Sequence, residues 1–425
     1  MKMRRRRLAS FLVAVTTFPW IASGVGCDHN DTPHVEPGDP IIGVLLPFTG
    51  SKAASADSYE KAMLMAVDQV NRAGGIDGHS LHLVSRDSRS DPDVAFAATQ
   101  ELIDDVAVNL LIGPLDPEAA SVSRWYTTSR GITQVLPGIM PLAIQPTGFI
   151  RLGPTTERLA CVLADRLVKD DIDRVVVLYQ NDSLYRAMAS SIVSARATLG
   201  AGGSASDFSV LAVEPDQYSY RETIQLAASR LAEAVVLVAD PIVAANVIQS
   251  WATTGLSIRW YLGPLLDNEA FLANIPRGRL DGVVGLAASP RGFWPEFADA
   301  YGEVWLGDTP AGGADLFYDA VNLSALALAA RAHFARSSTE AVELAHLMKA
   351  VSEPPGIPVP WTQVGLGLDR LAEGFDVDYA GVTGPVDVGE TAEKWGYSTL
   401  IGFWRVNGAA AVYEDDYKTG TTCGQ

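Results

Sequence analysis

Cysteine is scarce: Cys27, Cys161 and Cys423 are the whole complement of 425 residues. Three thiols do not make a disulfide framework, and Cys161, inside the apolar run LACVLADRL, reads as an ordinary buried thiol. A Cys161–Cys423 pair in an oxidising compartment is the other reading. Positive charge is scarce too, with 32 Lys and Arg against 50 Asp and Glu, a formal balance of −18. Outside the extreme N-terminus no basic cluster exists, so nucleic acid is excluded as a partner. Missing as well are a Gly-x-Ser-x-Gly turn, a His-Glu-x-x-His helix and a P-loop, which leaves an enzyme without support. His79 and His82 lack a third ligand nearby, so neither a metal nor another cofactor is expected. What is abundant is apolar material, 48% of the chain, enough for a globular protein of about two lobes.

The N-terminus reverses the general charge. Lys2 and Arg4 to Arg7 precede the apolar stretch Leu8 to Val25, which ends in Gly24-Val25-Gly26-Cys27. A basic, an apolar and a small-residue segment in that order read as an export signal over residues 1–26, with a retained membrane anchor as the alternative. Cys27 stands where a lipoprotein signal places its acylated cysteine, although Gly24 holds the position of a usual Leu. A lipid anchor at Cys27 and a soluble secreted form are the two outcomes. Residues 27–39 are polar and contain Pro, a tether with a reach of roughly 20 Å.

From residue 40 short apolar runs alternate with helical patterns, the signature of α/β lobes built on parallel sheets. Ile41 to Leu46 reads as a buried strand; Tyr59, Met63, Ala66, Val67 and Val70 then recur at helical spacing. Strands are expected at 81–85, 108–112 and 132–136, and a second series at 174–179, 208–213, 234–238, 260–262 and 282–287. From Phe293 the pattern is mainly helical, with too little strand for a third lobe.

Ile42 to Ser51 (IGVLLPFTGS), Asn71 to Gly78 (NRAGGIDG), Gly113-Pro114, Tyr318 to Val321 and Asp378 to Asp387 (DYAGVTGPVD) occur in an order that resembles the type I periplasmic binding proteins, in their leucine/isoleucine/valine-binding branch. The resemblance implies two doubly wound parallel-sheet lobes joined by a three-strand hinge. Lobe 1 would take 40–148 plus 291–382, lobe 2 would take 149–290 plus 383–412, and 413–425 would be a tail. Ligand would lie between the lobes at the carboxyl ends of both sheets.

Transferred residue by residue, the resemblance puts Leu115, Asp116, Gly138, Ile139, Met140, Leu184, Tyr185, Asp240 and Leu265 in the cleft, with Phe48, Ser51 and Phe317 as wall residues. Three positions depart from amino-acid recognition: Pro117 where a hydroxyl is expected, Met140 where a Thr is, and Leu265 where an acid would pair with an ammonium. Asp116 before Pro117 reads either as a helix cap or as a cleft-facing carboxylate, and the same Asp-Pro start occurs at Asp91 and Asp240. A neutral or mainly apolar small molecule therefore fits better than a free amino acid. The implied role is an extracytoplasmic solute-binding lipoprotein serving an ABC permease; a sensing or envelope-interaction domain of the same fold is the alternative.

Overall fold

The computed structural model describes residues 35–50, 52–141, 149–199, 208–287, 294–337, 343–386, 388 and 401–414. The signal segment, Cys27 and Ser51 lie outside them. In the first lobe β1 (Ile41–Leu46), α1 (Ala56–Arg72), β2 (His82–Asp87), α2 (Pro92–Asp104), β3 (Leu110–Ile112), α3 (Pro117–Ser129), β4 (Thr133–Leu136) and β5 (Phe149–Arg151) follow one another. They build a five-stranded parallel sheet in the order β2-β1-β3-β4-β5. Because β5 pairs with β4, Phe149–Arg151 completes the first sheet, and the boundary expected at 149 falls after it.

The second lobe continues through α4 (Thr156–Lys169), β6 (Val175–Gln180), α5 (Ser183–Thr198), β7 (Phe208–Val213), α6 (Arg221–Ser229), β8 (Ala234–Val238), α7 (Pro241–Ala252), β9 (Trp260–Leu262), α8 (Glu269–Leu272) and β10 (Val284–Ala287). After it come α9 (Trp294–Val304), α10 (Ala314–Ser337), α11 (Leu344–Ala350), β11 (Ile357–Pro360), α12 (Val364–Ala372), β12 (Val377–Gly381), β13 (Gly384–Pro385), β14 (Gly402–Asn407) and β15 (Ala410–Tyr413). The second sheet runs β15-β14-β10-β9-β8-β6-β7, with its last two strands in sequence added antiparallel at one edge. Tyr413 ends an ordered strand, and Glu414 bonds the Arg166 guanidinium at 2.7 Å, so the tail expected from 413 starts later.

The helical remainder packs back on the first lobe. One buried cluster joins Ile42 and Val44 of β1, Met63 and Ala66 of α1, and Val321, Leu323 and Leu326 of α10. Each such side chain contributes roughly 1.5–3 kcal/mol by burial, which holds α10 to the sheet more firmly than helix propensity does. A small sheet in the order β11-β12-β13 lies outside the sequence expectation. It carries the return of the chain toward lobe 2. There Asp319 on α10, fully buried, accepts from the Tyr379 hydroxyl (2.8 Å), the N–H groups of Val382 (2.9 Å) and Thr383 (3.1 Å), and the Thr383 hydroxyl (2.5 Å). Gly381 has no side chain because a Cβ there would overlap that carboxylate.

Cys161 on α4 is disulfide-bonded, which corrects its reading as a plain buried thiol; Cys423 lies outside the described residues. Among the described residues no helix is long and apolar enough to cross a membrane.

Candidate ligand site

The carboxyl ends of the parallel strands face one another across the lobes, and a cavity of about 880 Å³ lies between them. Its first wall comes from lobe 1: Ser55, Ser58 and Tyr59 after β1, Leu115 after β3, Gly138 and Ile139 after β4, and the segment 309–317 leading into α10. Leu184 at the start of α5, Leu265, Asp267 and Asn268 after β9, and Tyr413 of β15 form the wall from lobe 2. Gly113 sets the direction of the Leu115 loop. Its φ is +90°, and a Cβ there would overlap the Leu45 carbonyl oxygen.

The wall is largely apolar, and most of its polar atoms already have partners. Phe317 stacks on Tyr59 with centroids 4.2 Å apart and planes 11° from parallel. The Tyr59 hydroxyl donates to the Gly312 carbonyl at 3.1 Å, and burial pushes its pKa up to about 12. Ser58 Oγ accepts the Ala311 N–H at 2.8 Å. Asn268 caps α8 through Phe271 N–H at 3.0 Å and donates to the Leu265 carbonyl.

Asp267 is different. Its carboxylate accepts from the Tyr413 hydroxyl at 2.9 Å, and among the described residues no Lys, Arg or His lines the cavity beside it. Burial raises its pKa above the ordinary carboxylate value, with the Tyr413 hydrogen bond opposing the shift. The sequence reading missed it by placing the acid position at Leu265, two residues upstream. Leu265 itself stands at φ +69°, a turn that carries the chain past it and brings Asp267 to the wall. Ser55, Ser58, Tyr59, Trp294, the 309–313 loop and Tyr413 were missed as well, since each comes from a segment that reads as an ordinary helix start, loop or tail.

Of the expected cleft residues, Leu115, Gly138, Ile139, Leu184, Leu265 and Phe317 lie on the cavity wall. Others lie elsewhere for identifiable reasons. Phe48 is buried in the lobe 1 core, Met140 packs under Ala120, Leu136 and Phe149, and Tyr185 is buried in lobe 2 against Met188 and Ile192. Asp116 and Asp240 are helix caps. Asp116 accepts from the N–H groups of Glu118 (2.9 Å) and Ala119 (3.2 Å), and Asp240 from those of Ile242 (3.0 Å) and Val243 (2.9 Å). With Asp116 holding these amides, the start of α3 is closed to a ligand anion.

Lys52 joins Asp116 in an ion pair and lies 3.8 Å from Asp182 of lobe 2. His79 and His82 both bond one carboxylate, Asp39, at 3.2 and 2.9 Å. Among the described residues no group of three or more His, Cys, Asp or Glu could hold a metal ion.

Two α/β lobes with a largely apolar cavity at the facing strand ends define a protein of the solute-binding class. The periplasmic binding protein family profile matches residues 41–362, and the chain belongs to that family, in its leucine/isoleucine/valine-binding type I branch. Its members are exported solute-binding proteins, not enzymes. An amino acid binding protein of Pseudomonas aeruginosa is 24% identical over 157 residues, covering 36% of this chain and 42% of the relative. A chemotactic signal transduction system substrate-binding protein, BasB, of Halobacterium salinarum is 30% identical over 166 residues, 36% of this chain and 40% of the relative. The chain thus matches less than half the length of these curated relatives. The fold extends much further: a leucine-binding protein LivK from Thermotoga maritima superposes with a TM-score of 0.71 at 16% identity, over 88% of this chain and 97% of that one. An ABC transporter solute-binding protein from Rhodopseudomonas palustris, solved with 3,4-dihydroxybenzoic acid, reaches 0.69 at 17% identity, over 88% and 95%.

Proposed function

We propose that this protein is an exported lipoprotein, anchored through Cys27, that traps a small, mainly apolar molecule between its lobes for an ABC importer. The ligand carries one donor group, an amine or amide, directed at Asp267. The observation that carries this reading is the buried Asp267 carboxylate on a wall whose described residues include no cation. A ligand ammonium would find its counter-charge there, whereas a ligand carboxylate would meet Asp267 itself and the occupied start of α3. The apolar side chains Leu115, Ile139, Leu184, Leu265 and Phe317 suit an alkyl or aromatic body. Closure would turn on the crossovers between the lobes, one of which is fastened to Asp319 through the N–H groups of Val382 and Thr383.

Calorimetry against phenethylamine, benzamide, isoleucine and benzoate tests the ligand class. Phenethylamine or benzamide should bind and benzoate should not; micromolar benzoate with no amine or amide binding would overturn the reading. Attachment is tested separately: Cys27→Ser should release the protein from the membrane fraction, and unchanged retention would favour an uncleaved anchor. The BasB match favours a second reading, in which closure reports to a signalling partner instead of a permease.

A further inference from the structure

Three helices start beside the cavity: α3 on lobe 1, after the wall residue Leu115, and α5 and α7 on lobe 2, with Leu184 of α5 on the wall. Each is capped by an aspartate. Asp182 accepts the Tyr185 N–H at 3.0 Å, as Asp116 and Asp240 accept those of their own helices. In all three the Oδ1 atom does the capping. The Oδ2 atoms of Asp116 and Asp182 turn to one ammonium, that of Lys52, which sits on the lobe 1 segment between β1 and α1. That segment is held by the Lys52 N–H, which donates to Ser90 Oγ at 3.1 Å.

The side chain of Gln180 couples the two lobe 2 aspartates, donating to Asp182 at 3.1 Å and accepting the Asp240 N–H at 3.0 Å. The Lys52, Asp116 and Asp182 side chains are only 24%, 19% and 17% exposed, so water screens them poorly. Among the described residues no other Lys or Arg pairs with these carboxylates. The other titratable groups in their field are the buried hydroxyls of Tyr185, beside Asp182 and Asp240, and Tyr220, beside Asp240.

We propose that Lys52 is a positioning residue for lobe closure, a built-in counter-ion that lets Asp116 of one lobe approach Asp182 and Asp240 of the other. The proposal rests on the reading that the lobes close on ligand. With the lobes apart, each carboxylate is hydrated and distant from its opposites. Closing removes water and brings like charges together, which disfavours the closed form unless a cation lies among them. Lys52 is not among the residues that line the cavity, so its loss takes no wall contact from the ligand.

Protons should take over part of its role. Burial raises the pKa of both Asp182 and Asp240, and Lys52 lowers both. Without Lys52 closure therefore takes up protons, and acid favours it.

Small-angle X-ray scattering on the ligand-free exported full-length protein reads this directly. Lys52→Met should raise the radius of gyration at about pH 7.5 and return toward wild type at about pH 5. Lys52→Arg should match wild type, and adding Asp182→Asn to Lys52→Met should reverse most of the expansion, since Asn still caps α5. Equal scattering from wild type and Lys52→Met at both pH values would overturn the proposal. So would an expansion that neither acid nor Asp182→Asn reverses, because that is the mark of lost packing. Failure of the trapping reading shows elsewhere, as wild-type scattering that no compound of the calorimetric panel changes; the ligand-free comparison keeps its meaning in that event.

Discussion

The two ends of the cleft solve opposite problems with the same material. At the three helix starts each aspartate caps its own helix, Lys52 joins Asp116 and Asp182 across the lobes, and Gln180 links Asp182 to the Asp240 backbone. On the cavity wall one aspartate, Asp267, has a tyrosine hydroxyl and, among the described residues, no cation. The first end is satisfied by the protein itself. The second keeps a buried carboxylate with one hydrogen bond, which is where a ligand donor gains most by arriving.

That difference also separates affinity from closure. Side chains of the cavity set which molecule is held, and those of the mouth set how readily the lobes come together. A change at one end should leave the other end's property nearly intact, and variants at each end can break or sharpen the distinction.

The largest effect belongs to Phe317, which is both cavity wall and core. Its ring is 1% exposed and stacked on Tyr59. Phe317→Ala should cost about 3–5 kcal/mol of stability, measured by urea unfolding, together with ligand affinity. A loss below about 1 kcal/mol would mean that the wall can be stripped without touching the core.

At the mouth the comparison sharpens between two caps of the same type. Asp91 and Asp116 each precede a proline and each accept two backbone N–H groups, yet only Asp116 meets Lys52. Either one replaced by Ala should lose about 1–2 kcal/mol, and by Asn much less, since Asn caps as well. Lobe closure, followed by scattering, should respond to Asp116→Asn and ignore Asp91→Asn. An identical response from both would make Asp116 a cap and nothing more.

Much of the fold was legible because its signals are local. The period-2 and 3.6 patterns place both βα series, and Asp-Pro starts a helix at Asp91, Asp116 and Asp240, whereas the fourth such pair, Asp39-Pro40, leads into β1. What escaped was non-local. Gly365 and Gly367 argue against a helix, yet α12 forms because Gly367 lets it settle against Leu326 and Val359. The strands β11 and β13 contain Pro, which argues against a strand, and β12 pairs with them only across sequence. Apolar wall positions followed from strand ends, whereas Asp267 depended on the course of a turn at Leu265, which spacing alone does not reveal. Lys52 is a lone lysine in SKAAS until the second lobe is laid against it.

The smallest effect is the one that tests the lone carboxylate most directly. The folded-state pKa of Asp267 lies above its ordinary value of 3.8 because burial penalises the charge. Its contribution to stability is therefore fully present below that ordinary value and is lost as pH rises through the raised one. At neutral pH the ligand-free protein carries a poorly compensated charge, and Asp267→Asn should melt a few degrees higher than wild type. The gap should close on acidification through the same window. An amine ligand inverts the sign: its ammonium stabilises the carboxylate, binding expels the residual proton, and wild-type affinity for phenethylamine should rise with pH there. In Asp267→Asn that affinity should be weaker and flat with pH. Thermal melts across the window, with calorimetry in buffers of different ionisation enthalpy, read both halves. An Asn variant that is less stable at neutral pH would show that Tyr413 and the surrounding dipoles already satisfy the charge, and the cavity would then call for a neutral ligand.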